Sequence, residues 1–122
     1  MAHKIQALHA LTDLDRGTTI NVGLVSGGQS VNTIAAEASC AIDVRYQQTA
    51  DRDDIMAQVR AICEKVSVEG TSSSFSIRGE FQPLNPSAQS DELFALYQES
   101  AAQDDVIIEG EHSGGCADSG FI

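Results

Sequence analysis

Apolar residues at the start of the chain repeat with a helical period. Ile5, Leu8, Leu11 and Leu14 recur every three residues, so one face of residues 3–14 is hydrophobic. This spacing predicts an amphipathic helix. The periodic residues begin almost at Met1, without the Ser, Thr, Asp or Asn that usually caps a helix. We therefore expect the chain to begin inside a longer natural element.

Two segments with alternating apolar residues follow and predict a pair of strands. In residues 18–26, Ile20, Val22 and Leu24 lie on one face of an extended chain. The inward residues of the second segment are Cys40, Ile42, Val44 and Tyr46. A glycine-containing loop joins the two segments, so we expect them to pair as adjacent antiparallel strands.

A second helix and a third strand are predicted between residues 49 and 81. The apolar face of the helix consists of Ile55, Val59, Ile62 and Val66. Thr49 or Asp51 is placed to cap this helix. The alternating apolar residues of the third strand are Phe75, Ile77 and Phe81. The order helix, two strands, helix, strand predicts an open α+β sandwich.

Both prolines of the chain mark a change in organisation. Pro83 and Pro86 lie in a polar stretch, which predicts a linker at residues 83–89 between a domain at 1–82 and a fragment at 90–122. In this fragment, Ser87 or Ser90 is placed to cap a helix, and residues 106–108 are predicted to form a short buried strand. A glycine-rich loop closes the chain.

Composition excludes several classes of partner. The chain has 18 acidic and 7 basic residues, for a net charge of -11, so it repels nucleic acid and anionic lipid surfaces. No apolar run approaches the roughly 20 residues of a membrane span, and no secretory signal precedes the first helix. We therefore expect a cytoplasmic protein without nucleic acid or membrane partners. The three cysteines are widely spaced, which favours reduced thiols over a disulfide framework.

Several residues could support chemistry, each with a structural alternative. Cys116 and His112 could form a nucleophile pair in a cysteine hydrolase, although catalytic dyads are usually assembled from distant segments. The same two residues could instead bind a metal together with nearby acids, but their spacing matches no known signature. The acids in question are Glu109, Glu111 and Asp118. Arg45 could hold a carboxylate or pair with Asp43 on the polar face of its strand.

Three short motifs resemble one known family. They are GTTINVGLVSGG at residues 17–28, VNTI at 31–34 and DVR at 43–45. Their order and separations resemble the dimerisation domain of the zinc peptidases that include glutamate carboxypeptidase, acetylornithine deacetylase and succinyl-diaminopimelate desuccinylase. The motif SGGCAD at 113–118 is similar to the glycine-rich loop at which such chains re-enter their catalytic domain.

The resemblance implies a fold and a role for each part of the chain. Residues 1–82 would be a ferredoxin-like lid that lacks its first strand and carries two helices on one face of an antiparallel sheet. This lid would form a homodimer. Residues 90–122 would be a helix–strand fragment of the catalytic domain. The parent would be a hydrolase, specifically a metallopeptidase or carboxypeptidase, that acts on an N-acyl amino acid or a peptide.

The resemblance also assigns residues of the site. Asn32 and Arg45 would bind the substrate, Arg45 through its carboxylate, and Gly114 and Gly115 would lie beside it. The parent would use two zinc ions to activate water, but the segments that hold them in the family are not present in this sequence. No catalytic or metal-binding residue is therefore expected in this chain. The alternative function is a stand-alone α+β module that binds an amino acid.

Overall fold

The computed structural model describes residues 1–111 and 113–121. The chain divides into two compact units, Met1–Glu80 and Phe81–Ile122. The first unit contains helix α1 (Ala2–His9), strands β1 (Thr19–Gly27) and β2 (Ala38–Arg45), and helix α2 (Arg52–Glu64). The second unit contains helix α3 (Ala88–Ala102) and a short 3₁₀ turn at Asp118–Phe121. This confirms the α+β class and is consistent with a small ferredoxin-like domain.

Both helices of the first unit pack on one face of the β1–β2 hairpin. The hydrophobic side chains buried in the described part of the chain are Leu8, Ile20, Ile55 and Val59. Ile55 and Val59 are four residues apart on α2, so they lie on the same helical face, as predicted. Apolar residues from both strands pack around this cluster and complete a core between the helices and the sheet.

Helix α1 is shorter than its periodicity predicts. It ends at His9, and the chain reverses through paired backbone hydrogen bonds between Asp13 and Thr18, with N···O distances of 3.0 and 2.8 Å. This reversal lets the chain enter β1, and it takes Leu14 out of the helix. Leu14 is 76% exposed. Leu11 still packs against the core from the turn that follows the helix.

A β-bulge reverses which side chains of the second half of β1 point to each face of the sheet. Val22 pairs with Ile42, but Leu24 pairs with Ala41, so Gly23 is an extra residue in β1. Beyond the bulge the alternation is reversed, and Val25 now pairs with Cys40 on the face of the sheet that carries Ile42, although its side chain is still 57% exposed. The predicted inward position of Leu24 is therefore wrong. Its side chain is 70% exposed.

The predicted third strand does not form. Residues 72–80, all of which the structure describes, are neither strand nor helix, so the sheet of this unit has two strands. Phe75 packs against the core, whereas Ile77 and Phe81 are exposed. Side chains of the two helices hold this segment in place of a strand ladder, as described below. Helix α2 also ends before Val66, because Lys65 adopts an extended conformation.

The second unit confirms one prediction and corrects another. Ser87 caps α3, since its side chain accepts from the Ser90 backbone while the Ser90 hydroxyl accepts from the Ser87 backbone. The predicted strand at 106–108 is wrong. Asp105 ends the helical turn with a φ of 58°, and Val106 and Ile107 that follow are exposed without a neighbouring strand among the described residues.

Helix α2 begins one residue after its predicted cap, Asp51. The Asp51 side chain makes no capping hydrogen bond, because its carboxylate is paired with Arg16. This ion pair raises the pKa of Arg16.

None of the helices in the described residues has the length and apolar character needed to cross a bilayer.

Candidate functional site

Arg45 stands at the end of β2, on the face of the sheet opposite the core. It is paired with Thr19 across the hairpin, and its Nε donates to Asp43 Oδ2 at 2.7 Å. Both side chains are more than half exposed. An ion pair in this setting contributes about 0–1 kcal/mol, so another carboxylate can replace Asp43 at little cost. The ion pair with Asp43, which is the structural alternative to a binding role for Arg45, is thus present, but it is weak enough to be compatible with that role.

Asn32 lies in the loop between β1 and β2. Ser30 Oγ donates to Asn32 Oδ1 at 2.8 Å and lies 2.9 Å from Thr33 Oγ1. Because the amide oxygen accepts, the side chain presents its NH₂ group as a donor, which is the chemistry that a carboxylate needs. Val31 and Ile34 beside it are almost fully exposed.

The structure does not bring Asn32 and Arg45 together within one chain. Asn32 belongs to the loop that joins Gly27 to Ala38, and Arg45 lies at the far end of β2. The seven steps from Ala38 to Arg45 correspond to roughly 23 Å of extended strand. One small carboxylate therefore cannot contact both side chains of a single protomer.

Gly114 and Gly115 belong to the second unit. A side chain at Gly114 would meet nothing within 4 Å, so the backbone of this loop is open to close approach by a ligand. The Gly115 amide donates to Ser113 Oγ at 3.3 Å. Cys116 is an exposed free thiol, and the predicted partner His112 lies outside the described residues.

The described residues contain no metal centre. Within 1–111 and 113–121, no group of three or more His, Cys, Asp or Glu side chains is arranged to hold a metal ion. The metal site proposed from the sequence joins Cys116 and neighbouring acids with His112, which lies outside the described residues, so it stays a hypothesis.

A surface groove of about 490 Å³ lies between the α1–β1 turn and α2. Its walls include apolar Leu11 and Ile55 and the charged residues Asp13 and Arg16. Neither Asn32 nor Arg45 lines it. The groove is therefore separate from the residues that the sequence assigns to substrate binding.

Sequence reasoning missed a polar cluster formed by Tyr46, Arg52 and Glu80. Arg52 Nη2 donates to Glu80 Oε2 at 2.7 Å, its Nε bonds the other carboxylate oxygen, and Tyr46 Oη donates to that same oxygen at 2.9 Å. Hydrogen bonds from Arg52 hold the pKa of Glu80 below its usual value. Partial burial, reinforced by Glu80, raises the pKa of Tyr46. Glu80 is 34 residues from Tyr46 and 28 from Arg52, so no local pattern indicates the cluster.

The comparisons with known proteins agree with the resemblance. The sequence model of a family described as the peptidase dimerisation domain matches residues 1–71, more than half of the chain. This range includes Asn32 and Arg45 and excludes Gly114 and Gly115. No curated protein and no solved structure matches the chain with significant similarity.

Proposed function

This chain belongs to the peptidase dimerisation domain family, and we propose that it is the dimerisation and substrate-carboxylate-binding part of a glutamate carboxypeptidase-like hydrolase. The observation that carries this proposal is the position of Asn32 and Arg45 at opposite ends of one hairpin. A site that uses both residues is incomplete in one protomer. A second copy completes it.

Pairing of two hairpins explains how the site is completed. The outer edge of β1 has no neighbour in the described sheet, and such edges pair with other strands. If two copies of β1 pair antiparallel about a two-fold axis, the β1–β2 loop of each lies beside the start of the other β1. The start of β1 is also the end of the hairpin that carries Arg45, because Arg45 pairs with Thr19. Asn32 of one copy then approaches Arg45 of the second.

The exposed apolar residues support this arrangement. Leu24 of β1, together with Val31 and Ile34 of the loop, is exposed in a single chain. Neighbouring exposed hydrophobic side chains are typical of association surfaces. A two-stranded sheet is also marginal by itself and gains stability from further strands.

The remaining parts of the proposal concern the parent enzyme. The described residues do not fit a zinc site, so we assign no catalytic step to them and place the two zinc ions of the parent on other segments. Gly114 and Gly115 would lie beside an N-acyl amino acid or peptide substrate of the parent enzyme. We place this hydrolase in the cytoplasm.

Sedimentation of the chain over a range of concentrations tests the dimer. We expect a reversible dimer that Leu24→Lys weakens, because the two copies then bring like charges close together on adjoining strands. Leu14→Lys is the matched control, since Leu14 is a similarly exposed leucine outside the strands. A chain that stays monomeric at every concentration would refute the proposed association.

Mixing two variants tests the composite site. Asn32→Ala and Arg45→Ala should each abolish binding of glutamate measured by calorimetry. Random mixing of the two should restore about one quarter of the wild-type sites, because half of the dimers are mixed and each has one intact site. Failure of the mixture to bind would refute a site shared between the two protomers. Micromolar binding by a monomeric chain would favour the stand-alone amino acid module instead.

A further inference from the structure

Residues 73–80 form a segment that we call the strap. Its alternating sequence is that of a strand, but the structure leaves it without helix or strand pairing. It nevertheless stays on the first unit, to which it belongs by its contacts. Something other than a backbone ladder must therefore hold it.

Lysine and arginine side chains of the two helices bind the strap at three points. At the first, Lys4 of α1 donates to Ser73 Oγ at 2.8 Å and also to the Cys63 carbonyl. At the second, the Arg60 guanidinium of α2 lies 5.0 Å from the centre of the Phe75 ring, within cation–π range. The Phe75 side chain itself packs against the core.

At the third point, the Arg52 guanidinium donates to both carboxylate oxygens of Glu80, and the Tyr46 hydroxyl donates to one of them. This two-pronged geometry is the strongest form of a charge-assisted hydrogen bond. Glu80 is the last residue of the first unit, so this anchor lies at its end. Lys4, Arg52 and Arg60 are three of only seven basic residues in a chain of net charge -11.

Cys63 lies where release of the strap can be detected. Its side chain is partly buried and packs against the core. The Lys4 ammonium that donates to Ser73 of the strap also donates to the Cys63 backbone carbonyl. Burial, followed by the nearby Cys40, raises the pKa of its thiol. Phe75 of the strap packs against the same core cluster as Cys63, so loss of the Lys4 and Phe75 anchors would expose this edge of the core.

We propose that residues 73–80 are an electrostatically held strap that opens as a unit before the rest of the domain unfolds and exposes Cys63. All three anchors involve a cation, and the Arg52–Glu80 anchor is an ion pair at the surface, which salt screens. The α1, α2 and hairpin packing is apolar and insensitive to such screening. Added salt therefore opens the strap and leaves the remaining fold intact.

Labelling of the full chain with the uncharged reagent N-ethylmaleimide tests this proposal. The rate at each cysteine is followed by mass spectrometry of peptides, with Cys116, which is exposed, as the internal reference. Raising sodium chloride from about 20 mM to 500 mM should speed Cys63 labelling about two- to fivefold relative to Cys116, the effect of weakening one surface ion pair. The far-UV circular dichroism should stay constant across this range.

A matched pair of variants isolates the Glu80 anchor. Glu80→Gln should raise the Cys63 rate at low salt and reduce its salt dependence, because Arg52 loses its charged partner. Glu69→Gln makes the same charge change at an exposed position outside the strap and should behave like the wild type. Equal, salt-insensitive Cys63 rates in the wild type and both variants would overturn the proposal. So would faster labelling that accompanies loss of the circular dichroism signal, since that indicates global unfolding.

Discussion

Leu8 and Leu14 lie on the same predicted face of the first helix, yet the structure gives them opposite environments. Leu8 is completely buried between α1, β1 and α2, while Leu14 lies beyond the reversal that ends α1 and is 76% exposed. Replacing each leucine by alanine removes the same atoms. We expect very different losses of stability.

The expected magnitudes follow from this burial. Removing a fully buried leucine side chain costs about 2–5 kcal/mol, the sum of lost transfer free energy and the cavity left behind. A unit the size of Met1–Glu80 is stable by only about 4–12 kcal/mol. Its core has few members, so Leu8→Ala should remove a large part of this stability. Leu14→Ala should change it by less than about 0.5 kcal/mol.

Urea unfolding followed by circular dichroism measures both effects. With a slope of about 1 kcal/mol per molar urea, a loss of about 2–5 kcal/mol means that Leu8→Ala should lower the midpoint by roughly 2–5 M, and Leu14→Ala by less than about 0.5 M. All proteins must be compared at one chain concentration, because association contributes to apparent stability. Equal shifts for the two variants would show that α1 continues through Leu14, as its periodicity predicts, and would refute the structural argument.

Three further predictions concern single positions. Gly17→Ala should destabilise the chain by about 1–2 kcal/mol, since its φ is 67°; the new Cβ would also meet the flexible Gln47 side chain, so adding Gln47→Ala should recover only part of the loss, and full recovery would contradict the backbone strain. In Tyr97→Phe, absorbance at 295 nm should show Tyr46 ionising above its ordinary pKa of 10.0. The stability that the neutral Tyr46 phenol adds to the folded chain is present below pH 10 and is lost as pH rises through the folded pKa. A Tyr46 that titrates normally would argue against the cluster. Ser87→Ala should cost about 1 kcal/mol of α3 stability through loss of the capping box, visible as reduced helicity, and unchanged helicity would exclude that role.

Sequence periodicity and short motifs determined most of the local structure. Ile55 and Val59 indicated the buried face of α2, and Ser87 or Ser90 indicated the start of α3, because helical spacing and capping involve residues only a few positions apart. The motifs around Asn32 and Arg45 indicated the family, which the match to residues 1–71 confirms. These features require no knowledge of distant contacts.

Tertiary structure decided what local patterns cannot encode. The bulge at Gly23 reverses the face of Leu24, because strand pairing sets the register and a single extra residue inverts the alternation. The segment with Phe75 has a strand pattern but is held by cationic side chains that are distant in sequence. In the same way, Asn32 and Arg45 are only 13 positions apart in the sequence, yet the extended hairpin separates them. An extended backbone holds such residues apart, whatever their chemistry, until another chain brings their counterparts close.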